Sequence, residues 1–407
     1  MKISKATRPF AAITLLGMAS GIPLGIVTAL LQAWMTDSGI DLKLIGLAAL
    51  VQLPYTLKFV WSPLVDTLPI NFFGLGQRRS WMLLAQLGMF FSTVLLSTYD
   101  PAAQIELLLL TCALISFFGA THDIVIDAYR RDVLTDDQLG LGSAFATNSY
   151  LIGFRFLATV LGLTLADVLG WKLVILLMSS LSLIGLIGTL ISPKLVTTKR
   201  PKFELKNVIW TPFVNYLSKK GAWEILLFIL LFKIGDNIAG NLMTPYYLKI
   251  GFSKTEIAWI GKMVGFWCML IGGFIGGWIM SRLNIYRSLI IFGCLQALST
   301  FFFIFLDTGA PSITMLGLVV GFENLTAGMG AAGFAAFMLR LCDRQFTATQ
   351  YALLTSFMGI PRVIIPSTAG FLADGLGWSG FFTLSALIAI PGILMIIFRS
   401  KHWYQST

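Results

Sequence analysis

Four charged residues close a long, almost wholly apolar run: Asp123, Asp127, Arg130 and Arg131, following Leu107 to Gly119. On a helix Asp123 and Asp127 share one face. Arg130 and Arg131 follow Asp127 at i+3 and i+4, within pairing reach. Burial in apolar surroundings and a like charge nearby both favour the neutral carboxyl. The pair is therefore a candidate for taking up and releasing a proton, with Asp123 the deeper of the two, Asp127 the one nearer to the arginines, and His122 a neighbour able to share the proton. An ionised side chain at the centre of a membrane helix costs at least ~2.5 kcal/mol, so such residues are functional candidates.

The rest of the chain has to position that cluster. Of its 407 residues 57% are hydrophobic and 12% charged, against roughly 25% charged in a soluble domain. This is the composition of a polytopic membrane protein, with the lipid bilayer as its surroundings. The net charge of +10 belongs to its loops, and nothing points to nucleic acid. Four scattered cysteines without a CxxC and two histidines 280 positions apart (402 − 122) offer no metal site, cofactor or catalytic set, so an enzyme is not expected. A proton gradient is the only driving agent the residues suggest.

A membrane helix needs about 20 apolar residues. The pattern predicts twelve: 10–36, 43–66, 79–98, 104–130, 141–166, 171–192, 222–248, 255–281, 286–306, 312–339, 346–373 and 377–398. The first is too long for a cleaved signal and is expected to be retained. The long polar connection 193–221 divides the chain into halves 1–192 and 222–407. Twenty of 29 Lys and Arg fall at the termini or in loops after even-numbered helices, and four in the opposite loops. That bias puts both termini in the cytoplasm.

The halves repeat. Leu165-Ala-Asp-Val-Leu-Gly-Trp171 recurs as Leu372-Ala-Asp-Gly-Leu-Gly-Trp378, an offset of 207 (372 − 165), and Arg155 matches Arg362 at the same offset (362 − 155). Two related six-helix halves resemble the major facilitator architecture, which binds its substrate near the midplane between the repeats. Asp66 followed by Gly74-Leu-Gly-Gln-Arg-Arg79 resembles the facilitator loop between helices two and three, with a counterpart at Gly276 to Arg282. Asp66, Arg78, Arg79, Arg130, Arg131 and Arg282 are thus expected to gate the cytoplasmic side. Lys58, Arg155, Lys233, Lys262 and Arg362 lie within spans, opposed by few acids, with Lys233 and Asp236 placed to neutralise each other. They predict a positively biased cavity for a small anionic, polar substrate, with Asp236, Glu323 and Asn324 among its binding residues.

Several motifs carry a closer resemblance: Gly17-Met-Ala-Ser-Gly-Ile-Pro-Leu24, Leu31-Gln-Ala-Trp-Met35, Lys58-Phe-Val-Trp-Ser-Pro63, Asp123-Ile-Val-Ile-Asp-Ala128, Lys233-Ile-Gly-Asp236, Phe322-Glu-Asn-Leu325 and Phe346-Thr-Ala-Thr-Gln-Tyr-Ala-Leu-Leu354. In order and over nearly the whole chain they resemble the muropeptide permeases, the AmpG-like facilitators. The resemblance implies a monomer of the bacterial inner membrane that imports anhydro-muropeptides with protons by alternating access, for cell-wall recycling. It assigns Asp123 and Asp127 to the acidic motif of helix four, and Lys58, Lys233 and Asp236 to the other charged membrane positions. Many members have Gln where His122 stands. Related permeases import siderophores or resemble acetyl-CoA transporters, and all these cargoes are anionic.

Overall fold

The structure, a computed structural model, describes residues 7–194, 205–219, 221–307, 312–364 and 366–405. All regular elements among them are helices, and eleven are long and apolar enough to cross a membrane. They are α1 (Arg8–Asp37), α2 (Lys43–Val60), α3 (Gln77–Leu96), α4 (Ile105–Val133), α5 (Leu139–Leu169), α6 (Trp171–Ile191), α7 (Ala222–Ile250), α8 (Trp259–Arg282), α9 (Ile285–Leu306), α10 (Ile313–Leu341) and, after α11, α12. The remaining expected span, 346–373, falls on α11 (Thr347–Ile364) and the first turns of α12 (Pro366–Gln405), with residue 365 outside the described residues. The polar connection is not all loop: a short helix occupies Leu205–Leu217.

Most of the helices present large apolar side chains outward, among them Phe91, Leu110 and Phe371. In water these would be a liability, and against lipid they are the expected surface. Exposed Trp223, Trp259 and Trp278 lie near helix ends, where an amphipathic ring suits the headgroup level.

The chain forms two compact units. They depart from the sequence halves by two exchanged segments. Unit 1 comprises residues 1–135, 145–213 and 342–356, and unit 2 comprises 136–144, 214–341 and 357–407. In unit 1, α1 and α5 approach until their backbones touch: a β-carbon at Gly153 would collide with the Met18 carbonyl, and one at Gly21 with the Tyr150 carbonyl. Small residues at such crossings let dispersion contacts hold membrane helices together where no hydrophobic force acts between them. The same helices contain π-helical turns, Ile26–Leu30 in α1 and Ile152–Leu161 in α5, which hydropathy does not reveal.

The repeat is visible in the backbone. Gly170 (φ 74°, ψ 160°) and Gly377 (φ 66°, ψ 171°), separated by the offset of 207, both take a conformation closed to side chains. Gly170 separates α5 from α6 and Gly377 kinks α12, and each is followed by a Trp that packs on an aromatic: Trp171 stacks on Trp34 in unit 1, and Trp378 meets Tyr246 with ring centroids 4.8 Å apart in unit 2.

Candidate functional site

In unit 1 the polar residues of α4 turn toward three neighbours. The Asp123 carboxylate accepts a hydrogen bond from the Ser20 hydroxyl of α1. Its other oxygen lies 4.0 Å from Lys58 Nζ. That is an ion pair by charge but too long for a hydrogen bond. Lys58 is only 8% exposed and sits at a break in α2, where a 3-10 turn interrupts the helix. One turn on, Asp127 pairs with Arg130 at 3.1 Å. Arg130 also donates to the Tyr351 hydroxyl at 3.1 Å.

His122 makes its hydrogen bond away from this cluster. Consecutive residues on a helix point about 100° apart. Its Nε2 meets Gln86 of α3 at 3.0 Å, and Gln86 in turn accepts from Thr189 of α6.

A second constellation lies just beyond α2, in the short helix Ser62–Thr67. Asp66 is 1% exposed. Its carboxylate takes Arg78 at 2.9 Å, the Thr349 amide and hydroxyl at 2.9 Å each, and the Ala348 amide at 3.3 Å. Asp66 therefore caps the N-terminus of α11 from a residue far away in sequence, where free amides and the helix dipole favour an anion. Arg78 is shared with Asp132 at 3.0 Å.

The other expected gate residues divide. Arg79 donates to the carbonyls of Thr189 and Leu190, and so caps the C-terminal end of α6 rather than joining Asp66. Arg131 is buried. Arg282 lies at the end of α8, exposed, with its guanidinium over the Trp278 ring. It makes no ion pair among the described residues.

Unit 2 has its own polar set. Lys233 and Asp236 pair at 2.9 Å on α7, as their spacing suggested. A small cavity beside Asp236 is lined by Gln296, Thr300 and Ser385. On α10 the Glu323 carboxylate takes the Ser299 hydroxyl, which also meets Thr326. Asn324 donates back to the Val320 carbonyl of its own helix. Arg155 is exposed on its π-helical turn. The side chains of Lys262 and Arg362 lie outside the described residues.

Sequence reasoning passed over Ser20, Asp132, Thr349 and Tyr351. Ser20, Thr349 and Tyr351 stand inside motifs quoted above, and Asp132 directly follows Arg131. Their residue types were visible, but their partners were not.

Comparison with known proteins shows the family of the chain. The family model described as Major Facilitator Superfamily matches residues 10–366 and, overlapping, 225–404. The anhydromuropeptide permease of Escherichia coli (strain K12) is 36% identical over 389 residues, covering 95% of this chain and 79% of that protein. A Rickettsia conorii protein named putative transporter AmpG 4 is 34% identical over 98% of this chain and 97% of its own length. Among solved structures, a bacterial homologue of the iron transporter ferroportin has a TM-score of 0.71 at 14% identity, covering 98% of this chain and 100% of that one. The E. coli fucose:proton symporter has 0.69 at 14%, covering 96% and 98%. At such identity these two speak for the fold alone. The matches over nearly the whole chain mean that it belongs to the Major Facilitator Superfamily and, within it, to the AmpG-like permeases: it is a multi-pass membrane transporter, not an enzyme.

Proposed function

We propose that this protein imports anhydro-muropeptides across the bacterial inner membrane by proton symport with alternating access, in the service of cell-wall recycling, with both termini in the cytoplasm. The observation that carries the reading is the 36% identity, over 95% of the chain, to a protein named anhydromuropeptide permease. Such a cargo bears carboxylates and hydroxyls, and neither a siderophore nor an acetyl-CoA cargo draws an observation of its own.

The loose pair Asp123–Lys58 supports a coupling mechanism. At 4.0 Å the Lys58 ammonium is held by charge without a hydrogen bond. A proton on Asp123 removes that charge and leaves a buried cation in need of an anion. A substrate carboxylate then supplies it. Proton and substrate favour each other's binding, as symport demands, and this coupling is reciprocal. When the proton leaves, Asp123 competes for Lys58 again and the carboxylate is released. Asp127 tunes the pair from one turn away. Lys233 and Asp236, with Arg155, Arg362, Glu323 and Asn324 as further candidates, serve the sugar and peptide parts of the cargo. Asp66, Arg78 and Asp132 hold α11 in one of the two access states.

The test is uptake of radiolabelled anhydro-muropeptide by membrane vesicles, with and without an imposed proton gradient. Gradient-dependent accumulation is expected. Uptake of a siderophore in its place, with muropeptide ignored, overturns the cargo.

A further inference from the structure

Tyr351 is a residue that the mechanism above does not use. It lies one turn beyond the Asp66-capped end of α11, in the segment 342–356 that belongs to unit 1. It is 5% exposed. Its hydroxyl accepts from the Arg130 Nη2 that also serves Asp127, at 3.1 Å in both cases, and its ring lies under the guanidinium, 5.7 Å from Cζ. Arg130 Nε has no hydrogen-bond partner. One buried guanidinium nitrogen is thus divided between a carboxylate on α4 and a neutral hydroxyl on α11.

The charged and titratable groups around Tyr351 are Asp127 and Arg130 on α4 and Cys342 on its own segment. Asp123 with Lys58 lies beyond Asp127, and Asp66, Arg78 and Asp132 flank the start of α11. Arg131 is buried beside Arg130. Among these, Arg130 is the cation that touches both Asp127 and α11.

We infer that Tyr351 is a positioning residue that ties the hold on the first turns of α11 to the proton state of the α4 acids. This rests on the proton-symport reading and deepens it. Asp127 and Tyr351 accept from the same guanidinium nitrogen, which offers one hydrogen to each, so they pull on the position and the charge of one group. With Asp127 ionised, the carboxylate takes the larger share, since hydrogen bonds to a charged acceptor are roughly twice as strong as neutral ones. With Asp127 protonated, the guanidinium turns its donors and its charge to the Tyr351 hydroxyl and ring. Proton loading therefore tightens segment 342–356 against α4, and proton release loosens it. By reciprocity the Tyr351 contact eases proton loading.

The experiment is Tyr351→Phe in proteoliposomes, which removes the hydroxyl and keeps the ring. Labelled anhydro-muropeptide exchange and gradient-driven uptake are measured against pH, with melting in detergent as the check on folding. The expected result is a half-maximal pH displaced to the acid side, by about half to one pH unit for a coupling at the low end of the usual range, with exchange at low pH retained. A lower rate or melting temperature with an unmoved midpoint overturns the inference and leaves a structural hydroxyl. If the wild type itself shows no gradient-driven uptake, the symport reading fails, and the inference with it. If the wild type accumulates and Y351F matches it at every pH, only the inference fails.

Discussion

The α4 region of unit 1 and the α10 region of unit 2 descend from one repeat and are held by opposite means. Around α4 the contacts are charged: Asp123 with Ser20 and Lys58, Asp127 with Arg130, and Asp132 with the Arg78 that also holds Asp66. The stretch at the 207 offset, residues 327–341, has no carboxylate, and Gly330 stands where Asp123 would be (330 − 123 = 207). There α10 packs on α8 by backbone contact. A β-carbon at Gly272 would collide with the Leu325 carbonyl, and one at Gly328 with the Met269 carbonyl. Helices in lipid associate by close packing of this kind at no cost in desolvation, whereas each buried ion pair loses solvation that its partner only partly restores. A buried carboxylate at Asp123 is costly, and the other half has glycine at the equivalent Gly330, so a carboxylate at that position is not needed to hold the fold. That contrast is the physical support for giving the α4 charges a transport role.

The contrast can be broken from either side. The largest loss of stability is expected from Asp66→Ala, which strips a buried carboxylate from Arg78 and from the amides of α11. Removing one partner of a buried pair costs about 3–5 kcal/mol. Asp132 still holds Arg78, so melting in detergent should fall toward the lower end, and an unchanged melting curve would show the cap to be idle. In unit 2, Gly328→Val should cost about 1–3 kcal/mol through overpacking against the Met269 carbonyl. Uptake should survive in whatever fraction folds, and a variant that folds fully yet cannot transport would put chemistry, and not packing alone, at α10. Of similar size is Gln86→Leu, which removes the Gln86 partner of both His122 and Thr189. It should lower stability by about 1–3 kcal/mol, the cost of unsatisfied buried groups, and leave the pH dependence of uptake in place. A displaced pH profile would return His122 to the proton pathway.

The smallest effect is expected outside the membrane, at the start of α8. Glu256 accepts from the Ser253 amide and hydroxyl at 2.7 Å, and the Ser253 hydroxyl accepts from the Glu256 amide at 3.2 Å, a reciprocal helix cap. The Ser253 amide, and after it the hydroxyl, hold the Glu256 carboxyl below its ordinary value. A folded-state value below the unfolded one gives stability that is present above the unfolded value, roughly pH 4.3, and lost as pH falls through the folded one. Glu256→Gln should therefore melt slightly below the wild type at neutral pH and converge with it in acid. A difference that grows in acid would contradict the cap.

Much of the fold was legible because lipid imposes it. Spans of apolar residues had to be helices, and the repeated Gly-Trp at 170 and 377 marks the same backbone break twice. The π-helical turns in α1 and α5 leave no trace in hydropathy, since they change register and not composition. In the candidate site, residue type was legible and direction was not. Asp123 and His122 are adjacent in sequence, yet one faces α1 and α2 and the other α3 and α6. Arg78 and Arg79 are adjacent too, and one meets Asp66 while the other caps α6. Asp66 and Thr349 are 283 residues apart, and no local pattern announces such a contact.

The central claim is that Asp123 carries the proton that moves with the cargo. It is tested most directly in proteoliposomes loaded with a pH-sensitive dye, with anhydro-muropeptide added outside and no imposed gradient. The wild type should acidify the lumen only when substrate is present. Asp123→Asn should abolish that acidification while retaining exchange of substrate across the membrane. Substrate-dependent acidification by Asp123→Asn at the wild-type rate would contradict the account.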